Sequence, residues 1–381
     1  MLELGLGLVG RGHRVTILCH DYLPGSEFSY ASEQLEIRAV RHGVSELPSG
    51  HAALARRFWL DMPKVARLVP KDADVVNAHE WLALRPGRIA AGHLSIPLVW
   101  TRNDESPWER AIVPEHTIIG DRRLSRRAMR ATVCWPDLFD ARRTDAIVVL
   151  SRRQVEMVQR SYRKDALVVP VGPPEHFFDV PKRETARARL GVPDDVFLVV
   201  GAGILVHHRR FEDLIEAMSL LSGEPMIQAL IVGSDHVDPG YADQMAALIA
   251  ERGLSHRVNL PRRSVSDAEM KDVYSAADMF VLLSQRYAWG LAPLEAIASG
   301  TPTIISPGAG VHDILAGRPG VQVVPPKDPP SIAEAILRSR LDLGRKGLES
   351  TRAWLRKEYS IARYVDRMEE IYARSIEVRK R

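Results

Sequence analysis

Glu295 is the first residue of this chain that asks for a chemical explanation. It lies in Gly290–Gly300, GLAPLEAIASG, a run that is otherwise almost wholly apolar. Pro293 suits the first turn of a helix and Gly300 its end, so the spacing predicts a buried helix with a carboxylate in its middle. An ionised carboxylate withdrawn from water without partners is strongly destabilising, so a hydrogen-bonding neighbour or a ligand is expected beside it.

Polar, flexible stretches follow other apolar runs. After Val196–Val200 comes Gly201–Arg210, GAGILVHHRR. Gly203 lets backbone approach a ligand, and Arg209 sets a cation beside the start of the next helix, where phosphate is attracted. His207, His208 and Arg210 also fit a merely solvated turn. After Met279–Leu283 come SQRYAWG and the helix just described. The amides of Gly290, Leu291 and Ala292 at its start lack intrahelical partners and form a second phosphate cradle. Ser306–Gly310, SPGAG, is a further glycine loop. With Glu295 one turn inside the helix, the set points to a diphosphate carrying a polyhydroxylated group.

The elements that must position these residues alternate strand and helix along all 381 residues, the pattern of α/β domains with parallel sheets. One set of candidate strands runs from Val15–Cys19 to Ala166–Pro170, a second from Val196–Val200 to Gly320–Val324. The Pro- and Gly-rich Val171–Pro181 between them reads as a linker. A helix is predicted over Arg209–Leu221, with Phe211, Leu214, Ile215, Met218 and Leu221 on one face. The expected fold class is α/β, two doubly wound Rossmann-like domains facing a cleft. The opening Leu2–Val9 reads as a helix, where such a domain normally begins with a strand and a glycine-rich turn. Either the reading frame continues upstream of Met1 or the first domain lacks its opening strand, and the upstream continuation is favoured because an empty slot leaves backbone groups unpaired.

Composition narrows the class of protein. A hydrophobic content of 45% and a charged content of 26% describe an ordinary globular chain. No apolar run is long enough to cross a membrane as a helix, and the first residues lack the basic start of a signal peptide. Cys19 and Cys134 lie far apart with no CxxC pair, which argues for a reducing compartment and against zinc. Near-balanced charge, 52 basic against 48 acidic residues, with no aromatic–basic motif, disfavours a nucleic-acid partner.

WGLAPLEAIASGTPTIIS resembles the donor-site motif of the family 4 retaining glycosyltransferases of the GT-B fold. RGHRVTIL, DADVVNAHEWLA, AIVVLSRRQVEMV with VVPVGPPEHFF, RRFEDLIEA, LIVGS, VYSAADMFVLLS and EYSIARYVDRMEEIY fit the same family, so the resemblance covers essentially the whole chain. It implies an acceptor domain over residues 1–175, a nucleotide-sugar donor domain over 176–358, and a C-terminal helix over 359–381 packing back toward the first domain. Glu295 matches the second glutamate of the family's Glu-x7-Glu pair, which binds the nucleotide ribose; the first falls on Tyr287. The family's diphosphate-gripping Arg and Lys fall on Ile204 and Arg209. Where the family often has Thr-x-His, this chain has Thr101-Arg102-Asn103.

The function implied is transfer of a sugar, with retention, from a nucleotide-diphosphate sugar to a hydroxyl acceptor that is a glycan, a lipid or a small molecule. Arg209, Asn103 and Glu295 are the catalytic candidates. Gly203, Arg209, Tyr287, Gly290, Leu291, Ala292 and Glu295 would bind donor, and His79 and Arg102 would face acceptor. No cofactor is expected beyond the nucleotide sugar as substrate, and no DxD pair or His/Cys cluster suggests a metal. Arg122, Arg123, Arg126, Arg127 and Arg130 recur at helical spacing. They read as a solvated face or, with the net charge of +4, as a contact for anionic lipid or a phosphorylated acceptor. A cytoplasmic enzyme is the expectation, with a peripheral place at the inner membrane face if the arginines contact lipid. The alternative is a homologue that kept the fold and donor binding but lost catalysis, which Tyr287, Ile204 and Asn103 favour; epimerisation of nucleotide sugars has only the architecture behind it. Ser151 reads as the cap of the helix SRRQVEMV.

Overall fold

The computed structural model of the chain describes residues 1–20, 30–40, 59–60, 62–103, 134–285, 289–343 and 346–380. They fall into two compact units, Met1–Pro170 with Ile361–Arg381, and Val171–Ser360.

The first unit opens on the helix Leu2–Val9. Gly7 lets the last helix, Ile361–Lys380, come close: a methyl there would lie 2.4 Å from Val365 Cγ2. Strands β1 (Val15–His20), β2 (Tyr30–Ala31) and β3 (Leu35–Val40) form one sheet in the order β1-β3-β2, the short β2 antiparallel. Strands β4 (Val76–His79), β5 (Leu98–Arg102), β6 (Ala146–Val149) and β7 (Leu167–Val168) form a second, all-parallel sheet in that order. Among the described residues no ladder joins β1 to β4. Every residue of β5 is buried, Thr101 and Arg102 included, as a central strand of a parallel sheet covered on both faces should be. The last helix packs onto this sheet, where Arg379 donates to Asp145 at 3.0 Å. Ser151 does cap Arg152–Tyr162: its Oγ accepts from the Gln154 amide while Gln154 Oε1 accepts from the Ser151 amide.

The second unit holds one parallel sheet: β8 (Phe197–Ala202), β9 (Ile227–Val232), β10 (Val258–Asn259), β11 (Met279–Leu282), β12 (Thr303–Ile305) and β13 (Val321–Val323). Their order is β10-β9-β8-β11-β12-β13. Alternation along β11 sends side chains to opposite faces. Met279 and Val281 join a core with Phe211, Leu214, Ile215 and Met218, while Phe280 packs against Tyr274 at 5.6 Å between ring centroids. Each large side chain so enclosed contributes about 1.5–3 kcal/mol. The helix expected over Arg209–Leu221 is shorter, Phe211–Leu220, because Arg210 takes a left-handed conformation at φ +58° and stops it from starting earlier.

Candidate functional site

In the second unit the strand order reverses between β8 and β11, and ligands of such sheets sit at the carboxyl ends of the strands there. The loops leaving those ends are joined to one another. The Gln285 amide donates to the His208 carbonyl at 2.9 Å, and Ser306 Oγ donates to the Ser284 carbonyl at 2.5 Å. The Val311 amide donates to the Trp289 carbonyl at 2.9 Å. Beneath them the Gly203 amide donates to the Val232 carbonyl at 2.9 Å, and a methyl on Gly233 would stand only 2.0 Å from the Gly203 carbonyl oxygen.

The adjacent arginines have different surroundings. Arg210 is bound to both Asp213 and Glu212, with 3.0 Å from its Nε to Asp213 and 2.6 Å from its Nη1 to Glu212. The half-buried Arg209 lies along Gly203, whose φ is +143°. Of the two expected phosphate cradles, the one at Phe211 is partly taken by the protein, for the Phe211 amide donates to the Tyr241 hydroxyl at 3.0 Å. The helix Leu291–Ala298 is different: its cap is Gly290, at φ +81°, and among the described residues no side chain caps it. Ile204 and Leu291 are exposed apolar residues of these loops, at 44% and 37%.

Glu295 has the partner its apolar setting required. The Tyr274 hydroxyl donates to Glu295 Oε2 at 2.8 Å. Oε1 takes no hydrogen bond among the described residues, and Glu295 as a whole is half-buried. Burial pushes the Glu295 carboxyl up to about 7; the bond from Tyr274 opposes this and the charge of Asp267 adds to it. Sequence reasoning missed Tyr274. The available signal was a tyrosine on the apolar face of a helix, whose hydroxyl needs a partner when buried.

In the first unit His79 ends β4 and its Nε2 lies 3.1 Å from Asn77 Nδ2. Asn77 in turn accepts from Thr101 Oγ1 at 2.9 Å and donates to the Tyr372 hydroxyl at 2.5 Å. Burial drives the His79 imidazole down to about 3, so it is neutral at ordinary pH. The next residue, Glu80, holds φ +66°, a strained conformation for a residue with a side chain. Asn103 follows β5, its carbonyl accepting from Gln154 Nε2 at 2.8 Å. Arg102, expected to face acceptor, is only 2% exposed and sits over the Tyr162 and Trp100 rings at 5.4 and 5.8 Å. The cause is strand alternation, which puts Arg102 on the same face as the core residue Trp100. Tyr287 and Arg122, Arg123, Arg126, Arg127 and Arg130 lie outside the described residues. Among the described residues no group of three His, Cys, Asp or Glu could hold a metal ion, and no helix is long and apolar enough to cross a membrane.

Two family profiles match the chain. That for "Glycosyltransferase Family 4" covers residues 1–172, and that for "Glycosyl transferases group 1" covers 182–342. The chain is 29% identical to D-inositol 3-phosphate glycosyltransferase 1 of Catenulispora acidiphila, over 72% of this chain and 65% of that protein. It is 25% identical to mannosylfructose-phosphate synthase of Agrobacterium fabrum, over 83% of this chain and 72% of that protein. It spans about 65% of the length of the first inositol-phosphate relatives it matches. In three dimensions it is similar to sucrose-phosphate synthase of Thermosynechococcus elongatus, with a TM-score of 0.81, 20% identity, and 98% and 91% of the two chains covered. HepE of Anabaena in complex with UDP and glucose gives 0.74, 17% identity, and 97% and 95%.

Proposed function

The chain belongs to the family 4 glycosyltransferases of the GT-B fold, and from that premise we propose that it transfers a sugar, with retention, from a nucleotide-diphosphate sugar to a hydroxyl of a phosphorylated sugar or polyol. The observation that carries this reading is the start of Leu291–Ala298 at the strand switch point, capped by Gly290 and so by no side chain of its cap residue, with Arg209 on the neighbouring loop and the half-buried Glu295 in the same helix. The diphosphate is the leaving group. Its growing negative charge meets the Arg209 guanidinium and the first amides of that helix, donors fixed before reaction. Glu295 Oε1 accepts from the ribose hydroxyls.

On the acceptor side, His79 and Asn103 at the ends of β4 and β5 offer neutral hydrogen-bonding groups rather than charge. A phosphorylated acceptor is favoured by the names of the relatives, and HepE bound to UDP and glucose favours a uridine donor. We assign no metal and no cofactor, and a cytoplasmic setting with membrane contact through the 122–130 arginines is part of the proposal only. Retention rests on the family resemblance.

Release of nucleoside diphosphate from nucleotide sugars, measured with and without sugar phosphates, tests the activity, and proton NMR of the product gives its anomeric configuration. Failure to bind any nucleoside diphosphate would end this reading. Binding without turnover would establish the second one, a donor-binding homologue, which the exposed Ile204 at the family's first cation position favours.

A further inference from the structure

Tyr274 is 1% exposed and held edge-on between two rings, Phe177 at 5.7 Å and 70° and Phe280 at 5.6 Å and 73°. Its carbonyl accepts from Thr301 Oγ1 at 2.6 Å, which ties its helix to the turn following Glu295's own helix. The ring therefore has no room to swing, and its hydroxyl reaches Glu295 Oε2 from a fixed point at 2.8 Å. Phenylalanine would fill the same apolar space, so packing alone does not call for a hydroxyl here. We propose that Tyr274 is a positioning residue for nucleotide binding: it fixes the Glu295 carboxylate so that Oε1 is presented as an acceptor to the ribose. This inference rests on the ribose reading above.

The hydroxyl acts on the charge of the carboxylate as well as its direction. Burial, reinforced by the negative charge of Glu295, keeps the Tyr274 phenol well above its usual range, so it remains a donor. Donation to a carboxylate favours the ionised form, whereas burial and Asp267 favour the protonated one. A protonated Glu295 offers the ribose a poorer acceptor. The groups around it come from several elements. Asp267 and Tyr274 lie on the helix Asp267–Ala276, and His176, 3.5 Å from Asp267, lies in the turn Glu175–Phe178. Glu175 is paired with Arg356, and Arg352 donates to the carbonyls of Ala298 and Phe178 at 2.7 and 2.6 Å. β11 and β12 contribute no titratable side chain. His176 and Asp267 are unchanged in the variants below, so neither accounts for a difference between them.

The experiment is calorimetric titration of a nucleoside diphosphate from about pH 5.5 to 8.5, bracketing the Glu295 midpoint, for the wild type, Tyr274→Phe and Glu295→Gln. Tyr274→Phe should bind about 3- to 10-fold more weakly at neutral pH, with its affinity midpoint moved upward. The carbon-13 shift of the Glu295 carboxyl should report the same upward move in the folded protein without ligand, and the denaturant midpoint should show that the fold is kept. Wild-type affinity with an unmoved midpoint in Tyr274→Phe overturns the inference while leaving the ribose role intact. Glu295→Gln binding as tightly as the wild type at every pH would instead remove the ribose role, and the positioning role with it.

Discussion

Arg209 Nε stands 3.7 Å from the place a β-carbon would occupy on Gly203, while the neighbouring Arg210 is tied to Asp213 and Glu212. One of two adjacent cations is thus placed on the loop at the switch point and the other fastens a helix start. Arg209→Ala should weaken a nucleoside diphosphate by the value of a charged hydrogen bond, about 1.5–3 kcal/mol or roughly 10- to 150-fold, with little change for the bare nucleoside. Arg210→Ala should act chiefly on stability. Calorimetry with both ligands decides; equal losses for nucleoside and diphosphate would mean that Arg209 does not touch phosphate.

Glu295→Ala should lower nucleotide affinity by a similar factor, since its carboxylate is the proposed ribose acceptor. It also carries a pH signature. The folded carboxyl, at about 7, holds its proton more tightly than the unfolded one near 4.5, so the native state binds the extra proton between those values. Stability from this group therefore falls as pH rises through that window. Glu295→Gln should flatten this fall, read as denaturant midpoint against pH. An unchanged pH slope would show that the carboxyl titrates normally.

His79 works in the opposite direction. Its folded pKa of about 3 lies below the ordinary 6.5, so the native state refuses a proton that the unfolded chain accepts. Its contribution is present above the unfolded value and is lost as pH falls toward 3. In a heteronuclear NMR titration its ring signals should stay fixed from about pH 8 to pH 5, where an unperturbed histidine moves. A midpoint near 6.5 would contradict the buried, neutral ring.

The close approach of Gly233 to Gly203 gives a steric test. A methyl on Gly233, 2.0 Å from the Gly203 carbonyl oxygen, cannot be accommodated without moving the loop that carries Arg209. Gly233→Ala should cost about 1–3 kcal/mol and weaken nucleoside diphosphate binding as well. Gly223→Ala, where a methyl meets nothing within 4 Å, should do neither. If Gly233→Ala behaves like Gly223→Ala, the two loops are not packed as described.

The sequence by itself determined the local features. Apolar runs bounded by glycine and proline marked the strands on both sides of the strand-switch loops, and an apolar helix with proline near its start marked Leu291–Ala298. These depend on period, chain stiffness and the missing donors of a helix start, all set within a few residues. Tertiary structure alone decided the partners. Nothing near Glu295 names Tyr274, 21 residues away on another helix, nor shows which of the two carboxylate oxygens it holds. Nothing in RR separates Arg209 from Arg210, and Thr101-Arg102-Asn103 does not reveal that its cation is turned into the core. A side chain's partner, burial and charge depend on which surfaces meet across the fold, and that is a property of packing between segments distant in sequence.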